Sequence, residues 1–354
     1  MFKTLLYSIF PSFKSPEVQP NFEYFEHTKN DGSIVEQSNA NYTVNKTIVN
    51  NANEVSSALF LSFLFGESTD KVVEDQLSCF VSNKIEFLLK KQSSKLIDAL
   101  PVMPATIALL INELKSEEFN TDILISSINS EPSIATEVIK LANSAKYKRG
   151  EKEVTDLKAA FMSMGKQGLL EGVIYHYIND FKPVASVYYR QFGEKIWQHC
   201  HQTAEYTQAL TIRLGHPELS ATAYFLGLIV NLGHMIIFQL MTDAFSCIDP
   251  NSSPNSEGFK RLINLYSIKL TYTIAKTWQL PEVILQAIAI QAQTENCHQL
   301  TKYKERQPLA IACYEANKLS ELVSLKNVNL IDSDALDEAL SKNPLVEEMT
   351  SLIE

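Results

Sequence analysis

Apolar residues recur every three or four positions along most of this chain, and this spacing restricts what it can fold into. Leu59, Phe60, Phe63 and Leu64 form the first such group, and others follow to the C-terminal region. This spacing places side chains on one face of an α-helix, whereas a half-buried strand needs apolar and polar residues to alternate. No segment alternates for long enough to build a central sheet. The sequence therefore predicts an all-α fold.

Proline, glycine and polar clusters divide this pattern into helices of ordinary length. Pro101 and Pro104 precede one helix, Asn120 to Asp122 provides a cap for another, and Pro132 opens a third. The predicted helices are 106–114, 123–128, 133–145, 157–164, 166–178, 186–214, 218–240, 256–278, 282–292 and 309–322.

The N-terminal stretch has a different composition from the rest of the chain. Residues 1–55 are rich in Asn, Ser, Thr and Glu, which predicts a polar and partly irregular arm. A small β-hairpin is one alternative within it, with Gly32 at the turn between residues 22–25 and 33–35. A helical lead-in over residues 56–97 follows the arm.

Charge, cysteine usage and hydropathy exclude several classes of function. The net charge of −10 repels phosphate backbones and anionic lipid, so no nucleic-acid partner is expected. The five cysteines are odd in number and never form a C-x-x-C pair, which indicates reduced thiols in the cytosol. The apolar run 223–240 is interrupted by Asn231, Gly233 and His234, so the sequence predicts no membrane span and a cytoplasmic protein.

Seven stretches, in a fixed order over about 200 residues, resemble the HDOD domain family of bacterial signalling proteins. They are Leu100-Pro-Val-Met-Pro104, Ile128-Asn-Ser-Glu-Pro132, Lys140-Leu-Ala-Asn-Ser-Ala145, Asp156 to Gly165, Ile196-Trp-Gln-His199, Phe225 to His234 and Trp278-Gln-Leu-Pro281. The resemblance implies an HDOD-like domain over residues 98–298, with an N-terminal helical subdomain packed on a degenerate HD-like subdomain. It leaves residues 299–354 as a C-terminal helical extension.

This family is similar to the HD metal phosphohydrolases, in which histidines and an adjacent His-Asp pair hold catalytic metal. The resemblance places the His-Asp pair on Val230 and Asn231, the first metal histidine on His199 and the distal aspartate on Asn317. Valine offers no donor atom, and a neutral amide cannot replace the charge of a carboxylate. We therefore expect no hydrolase chemistry, no catalytic residues, no bound metal and no cofactor.

The remaining motif residues have structural interpretations as well as functional ones. His199 is expected to be a hydrogen-bonded histidine of the interior, although His199, Asn231 and His234 together could form a vestigial metal site. Gly233 is expected to let two helices approach closely, and Asn143 to cap a helix end. The residues assigned to structural roles are Leu100, Pro101, Pro104, Pro132, Asn143, Gly165, Trp197, Gly233, Trp278 and Pro281.

The resemblance implies a regulatory or scaffolding protein. The chain carries no recognisable cyclase, phosphodiesterase, receiver or kinase segment, so any output must pass through a partner. The leading hypothesis is a non-enzymatic signal-transduction module that binds other proteins, including proteins of a cyclic-di-nucleotide pathway. The alternative is a degenerate phosphohydrolase that retains nucleotide or metal binding in its old cleft.

Overall fold

The computed structural model describes residues 52–66, 76–91, 95, 121–129, 132–148, 153–179, 187–248, 256–294 and 297–353. The chain before residue 52, with its predicted hairpin, lies outside these ranges, as do the motif Leu100–Pro104 and the predicted helix 106–114. The described residues form helices and turns and contain no strand, which confirms the all-α class.

Thirteen α-helices and two short 3-10 helices make up the described part of the chain. The α-helices are α1 (Ala52–Phe65), α2 (Gln76–Lys91), α3 (Thr121–Asn129), α4 (Pro132–Ala142), α5 (Leu157–Asn179), α6 (Val187–Arg213), α7 (Ser220–Ile229), α8 (Leu232–Ile248), α9 (Ser256–Thr277), α10 (Glu282–Gln293), α11 (Pro308–Asn327), α12 (Ser333–Ser341) and α13 (Val346–Thr350). The 3-10 helices are Pro217–Leu219 and Cys297–Tyr303. Helix α1 begins inside the stretch 1–55 that was predicted as the arm, because Ala52 and the residues after it already belong to the helix.

Helices α3, α4 and α5 form the N-terminal subdomain. Helix α4 packs along α5, and their shared core buries Ile128, Val138 and Leu169 completely. Helix α5 is kinked at Gly165, whose φ of 71° and ψ of −177° are open to glycine and strained for other residues. The kink lies where the sequence predicted a break between two helices.

The end of α4 is tied to the following loop by one side chain. Asn143 Nδ2 donates to the carbonyls of Ile139 at 3.0 Å and Val154 at 2.7 Å. Its Oδ1 accepts from the Val154 N–H at 2.8 Å. Asn143 therefore caps the helix and binds the backbone of Val154, eleven positions further along the chain.

A buried carboxylate joins the N-terminal subdomain to the rest of the bundle. Glu171, on α5, accepts hydrogen bonds from the Tyr147 hydroxyl and from Gln208 Nε2 of α6, both at 2.6 Å. Lys146 Nζ lies 3.2 Å from the same side chain and supplies the opposite charge. The hydrogen bonds and the ion pair offset the cost of burying the carboxylate, and the bond from Gln208 links α5 to α6.

Helix α6 is the centre of the second subdomain, with α7 and α11 packed along it. Trp197 and Trp278 are buried and contact the rings of Tyr175 and Tyr177 on α5, with centroids 5.5 and 5.8 Å apart. Pro281 is the residue before α10, and its extended backbone starts that helix. The tryptophans thus help fix the second subdomain against the first.

The predicted single helix over residues 218–240 is wrong. The segment is a 3-10 turn followed by α7 and α8, with a break at Val230 and Asn231. The Thr271 hydroxyl of α9 donates to the Val230 carbonyl at 3.2 Å and accepts from the Gly233 N–H at 2.9 Å. A side chain inserted into the backbone ladder in this way interrupts a helix.

Gly233 is also where α8 and α9 come closest. A Cβ atom at this position would lie 2.0 Å from the Ser267 carbonyl oxygen, well inside van der Waals contact. Glycine is therefore required by the close approach of two backbones.

The C-terminal helices complete the bundle. The predicted boundary between residues 298 and 299 falls inside the 3-10 helix Cys297–Tyr303, and α11 then packs directly on α6. Helices α12 and α13 cover the outer face of α11 with a second apolar cluster that includes Leu319, Leu336 and Met349.

The segment Pro217–Phe245 is long and apolar enough to cross a membrane by composition alone. It lies at the centre of the fold, and 94% of its most apolar window is buried by protein. Its hydropathy is explained by its place in the core, between α6, α9 and α11.

Candidate functional site

His199 lies at the centre of the region where the HD resemblance places catalytic metal. It stands on α6 with only 3% of its surface exposed. Its Nδ1 lies 2.9 Å from Ser320 Oγ of α11, and its Nε2 lies 3.1 Å from Asn231 Nδ2, at the break between α7 and α8. Both ring nitrogens therefore have protein partners.

The Asn231 amide bridges His199 to α11. Its Nδ2 donates to Asn317 Oδ1 at 2.6 Å as well as facing His199 Nε2, so both amide hydrogens are used. With Asn231 Nδ2 donating to Nε2, a neutral His199 ring carries its proton on Nδ1, where Ser320 Oγ accepts it and in turn donates to Gln202 Oε1 at 2.9 Å. When His199 is neutral, every donor in this series of hydrogen bonds therefore has an acceptor.

The chain of hydrogen bonds continues to an ion pair. Asn317 Nδ2 donates to Glu321 Oε1 at 3.2 Å, and Lys318 Nζ lies 3.0 Å from Glu321 Oε2. Ser57 Oγ of α1 donates to the same carboxylate at 2.9 Å, and Lys318 also donates to the Ser57 hydroxyl. We call the set His199, Asn231, Asn317, Lys318, Ser320 and Glu321 the α11 network.

The surroundings of His199 keep its ring uncharged. Burial lowers the pKa of His199 to about 3, the nearby Asn317 amide opposes the shift, and the positive charge of Lys318 adds to it. The ring is therefore neutral at physiological pH, as the hydrogen-bond pattern requires.

Helix α1 closes over this network. The Phe60 ring lies 4.7 Å from the His199 ring, centroid to centroid, while Ser57 hydrogen bonds to Glu321. Helix α1 thus covers the histidine with an aromatic ring and satisfies one carboxylate oxygen of α11.

The other two predicted positions lie nearby and play different parts. Val230 is 5% exposed and contributes only apolar surface. His234 Nδ1 is buried and has no hydrogen-bond partner among the described residues. Burial lowers the pKa of His234 to about 3, with further lowering by His199 and Lys318.

These residues do not fit a catalytic metal ion. His199 Nε2 already accepts from an amide, Asn231 presents N–H groups toward it, and Lys318 places a positive charge close by. The nearest carboxylate, Glu321, is neutralised by that lysine. Hard cations are bound by ionised carboxylates and free imidazole nitrogens, and the α11 network leaves neither available. No group of three or more His, Cys, Asp or Glu residues in the described ranges could hold a metal ion.

A cavity of about 460 Å³ adjoins the network. Its wall includes Val230, Asn231, His234, Asn317 and Lys318, and α1 contributes Ser57, Ala58 and Leu61. Gln291 also lines it and donates to the Ala310 carbonyl at 2.7 Å. The cavity is the remaining space of the cleft that the resemblance implies.

Sequence reasoning found three members of the network and missed the others. His199, Asn231 and Asn317 were named as metal positions, and the structure joins them by hydrogen bonds. Lys318, Ser320 and Glu321 were not identified. Their signal was present, because Asn317-Lys-Leu-Ser-Glu321 puts four polar residues in the middle of a helix that begins with the apolar run Leu309 to Cys313.

The comparisons with known proteins agree with this fold. The family model for the HDOD domain matches residues 100–294, more than half of the chain. An uncharacterized protein of Treponema pallidum (strain Nichols) is 20% identical over 196 residues, which cover 54% of this chain and 37% of that protein. The match thus spans well under half of that relative's length.

Two solved structures share the architecture. An HDOD domain protein with unknown function from Geobacter sulfurreducens superposes with a TM-score of 0.52 at 16% identity, covering 77% of this chain and 94% of its own. A protein of Shewanella amazonensis SB2B, provisionally named a metal-dependent phosphohydrolase, superposes with a TM-score of 0.51 at 14% identity, covering 79% and 100%. With the helical bundle and the family match together, the chain belongs to the HDOD domain family.

Proposed function

We propose that this protein is a non-enzymatic regulatory module of bacterial signal transduction that acts by binding another protein. The observation that supports this most strongly is the Asn231 amide, which donates to His199 Nε2 and to Asn317 Oδ1 at the positions where a phosphohydrolase would hold metal. A site whose donor atoms are already paired with each other cannot activate water through a metal.

The helices and apolar side chains around His199 support the same proposal. The residues that complete the network come from α1 and α11, which lie outside the segment matched by the family model. Val230 lines the cavity, and its neighbours Ile229 and Leu232 are buried in the core, each such side chain being worth about 1.5–3 kcal/mol when fully buried. The cleft therefore contributes to stability, and an output has to pass through the outer surface of the bundle.

The hydrolase part of this proposal is tested by a direct assay. Purified full-length protein is incubated with bis-p-nitrophenyl phosphate and with a cyclic di-nucleotide, in the presence of Mn²⁺, Fe²⁺ or Ni²⁺. We expect no turnover above that of His199→Ala. Turnover that depends on the metal and disappears in His199→Ala would contradict the proposal.

The interaction part needs a partner. Photo-crosslinking from positions spread over the exposed helix faces, in cells of the source organism, identifies proteins that bind the folded chain. We expect one protein to cross-link from several neighbouring positions. Proteins of a cyclic-di-nucleotide pathway are among the candidates. Absence of any specific adduct from the whole surface would overturn the interaction hypothesis.

The cavity beside the network favours one alternative, a protein that retains a small ligand in the old cleft. Its volume of about 460 Å³ is within the range of small-molecule sites, and His234 Nδ1 in its wall has no partner in the described part of the chain. The charge of Lys318 is balanced by Glu321, so the cavity offers little net attraction for an anion. A rise in melting temperature with AMP, lost in His234→Phe, would favour this alternative.

A further inference from the structure

A groove on the surface of α6 shares no lining residue with the cavity described above. It consists of two adjoining hollows of about 490 and 370 Å³ that have Phe63, Lys195 and Val328 in common. Helices α5 and α11 lie on either side of it, and α1 covers one end. We call it the Lys195 groove and define it by Phe63, Phe192, Lys195, Gln198, Glu205 and Val328.

Lys195 is a partly buried ammonium group that forms no ion pair with any residue the structure describes. Its Nζ donates to the Phe63 carbonyl at 3.1 Å and lies 4.0 Å from the centre of the Phe63 ring. The carbonyl belongs to the last turn of α1, so Lys195 also caps that helix. This bond uses one of three ammonium hydrogens, and no carboxylate in the described ranges pairs with the group. Burial lowers the pKa of Lys195, which reflects the cost of a charge that has lost water and gained no counter-ion.

The other end of the groove carries the opposite charge. Glu205 lies ten residues further along α6, or about 15 Å at the helical rise of 1.5 Å per residue. Its side chain is 46% exposed and has His201 Nδ1 at 3.8 Å. Between the two charges lie the exposed Gln198 amide and the edges of Tyr175 and Trp197. A ligand that satisfies both ends therefore has an anion and a cation about 15 Å apart.

We propose that the Lys195 groove binds an extended peptide segment of a partner protein, with an Asp or Glu carboxylate on Lys195 and a Lys or Arg on Glu205. An extended chain advances about 3.3 Å per residue, so these two residues are separated by four or five positions. The groove is open along its length and lined by amide and aromatic side chains, which suits a peptide better than an enclosed small molecule. The inference rests on the proposed function, since it names the surface and the chemistry of the partner.

The charge of the whole molecule makes this pairing selective. The chain has a net charge of −10, so acidic segments are repelled from most of the surface at long range. Lys195 has no carboxylate partner among the described residues and lies in a partly desolvated groove, so it attracts a carboxylate only when the rest of the segment fits. The charged ends of the groove thus set the direction and register of the bound segment.

The test uses the full-length chain with the photo-reactive residue p-benzoylphenylalanine in place of Gln198, in cells of the source organism. Gln293 is the matched control, because it is an exposed glutamine on α10 outside the groove. We expect a protein adduct from position 198 and none from position 293. Mass spectrometry should place the cross-link in a segment with an acidic and a basic residue four or five positions apart. Lys195→Glu should lower the adduct yield at least about tenfold, and Lys195→Arg should retain it.

Because Lys195 also caps α1, a second variant tests the charge without removing the cap. Gln198→Glu places a carboxylate in the path of the acidic segment and should weaken binding, whereas Gln293→Glu should not. A synthetic peptide of the cross-linked segment should change the fluorescence of Trp197, and lose this effect when its acidic residue is replaced by an amide.

The outcomes separate this inference from the proposed function. Adducts that form elsewhere on the surface and never from position 198 overturn the groove and leave the interaction function intact. A cross-linked segment without an acidic residue, or binding unchanged by both Lys195→Glu and Gln198→Glu, also overturns the inference. No adduct from any surface position overturns both.

Discussion

Asn231→Ala tests whether the α11 network carries the stability of the former metal site. The change removes the amide that donates to His199 Nε2 and to Asn317 Oδ1. A buried acceptor left without a donor costs about 1–3 kcal/mol, and His199 Nε2 is such an acceptor, whereas Asn317 Oδ1 is partly buried and faces the cavity; we therefore expect a loss of about 1–3 kcal/mol in the free energy of unfolding. Urea unfolding followed by circular dichroism measures this loss as a lower midpoint at an unchanged slope.

Asn264→Ala is the matched control for this measurement. Asn264 lines the adjoining cavity with an exposed side chain, so its removal should change the free energy of unfolding by no more than about 0.5 kcal/mol. A loss below about 1 kcal/mol for Asn231→Ala would refute the reasoning, because it would mean that water or another donor replaces the amide at no cost.

Three further changes test other parts of the account. Gly233→Ala should destabilise the fold by about 1–3 kcal/mol or more, because its methyl group meets the Ser267 carbonyl; a melting temperature equal to that of the wild type would disprove the close packing of α8 and α9. Val230→Asp puts an unpaired charge at a position only 5% exposed and should cost about 3–5 kcal/mol in urea unfolding; a neutral effect together with newly bound metal would favour the alternative function. Glu315 is fully buried, and burial raises the pKa of its carboxyl to about 8 from 4.5, so the folded state holds a proton that the unfolded chain releases. The stability gained from this bound proton is complete below pH 4.5 and is lost as the pH rises to 8, by up to about 1.4 kcal/mol per pH unit. Glu315→Gln should remove this pH dependence from the free energy of unfolding measured between pH 5 and 8.

Local sequence patterns predicted much of the fold because they act within one helix. The kink at Gly165 and the start of α4 at Pro132 follow from the conformations that glycine and proline adopt. The break at Val230 could not be found in this way, because it depends on the Thr271 hydroxyl of α9, 41 residues away. The break also places Asn231 beside His199, so a contact between helices sets the geometry of the site.

The candidate site also combines residues that the sequence pointed to with contacts that only folding creates. Resemblance pointed to His199, Asn231 and Asn317, since these positions correspond to metal ligands of a known superfamily. It could not indicate that Lys318 and Glu321 would form an ion pair beneath them, or that Ser57 would bind that carboxylate from 264 residues away. Only folding brings α1 and α11 together over α6, and this assembly joins His199, Asn231 and Asn317 in one hydrogen-bonded network.

The most direct test of the central claim is a long-range ¹H–¹⁵N spectrum of the protein with ¹⁵N-labelled histidines, recorded while Zn²⁺ is added. Assignment of His199 comes from the spectrum of His199→Gln. The α11 network predicts a neutral ring with its proton on Nδ1 and a hydrogen-bonded Nε2, unchanged by Zn²⁺ and by pH between 5 and 8, because the pKa of His199 lies near 3. A stoichiometric shift of the His199 Nε2 resonance to a metal-bound position would contradict the account.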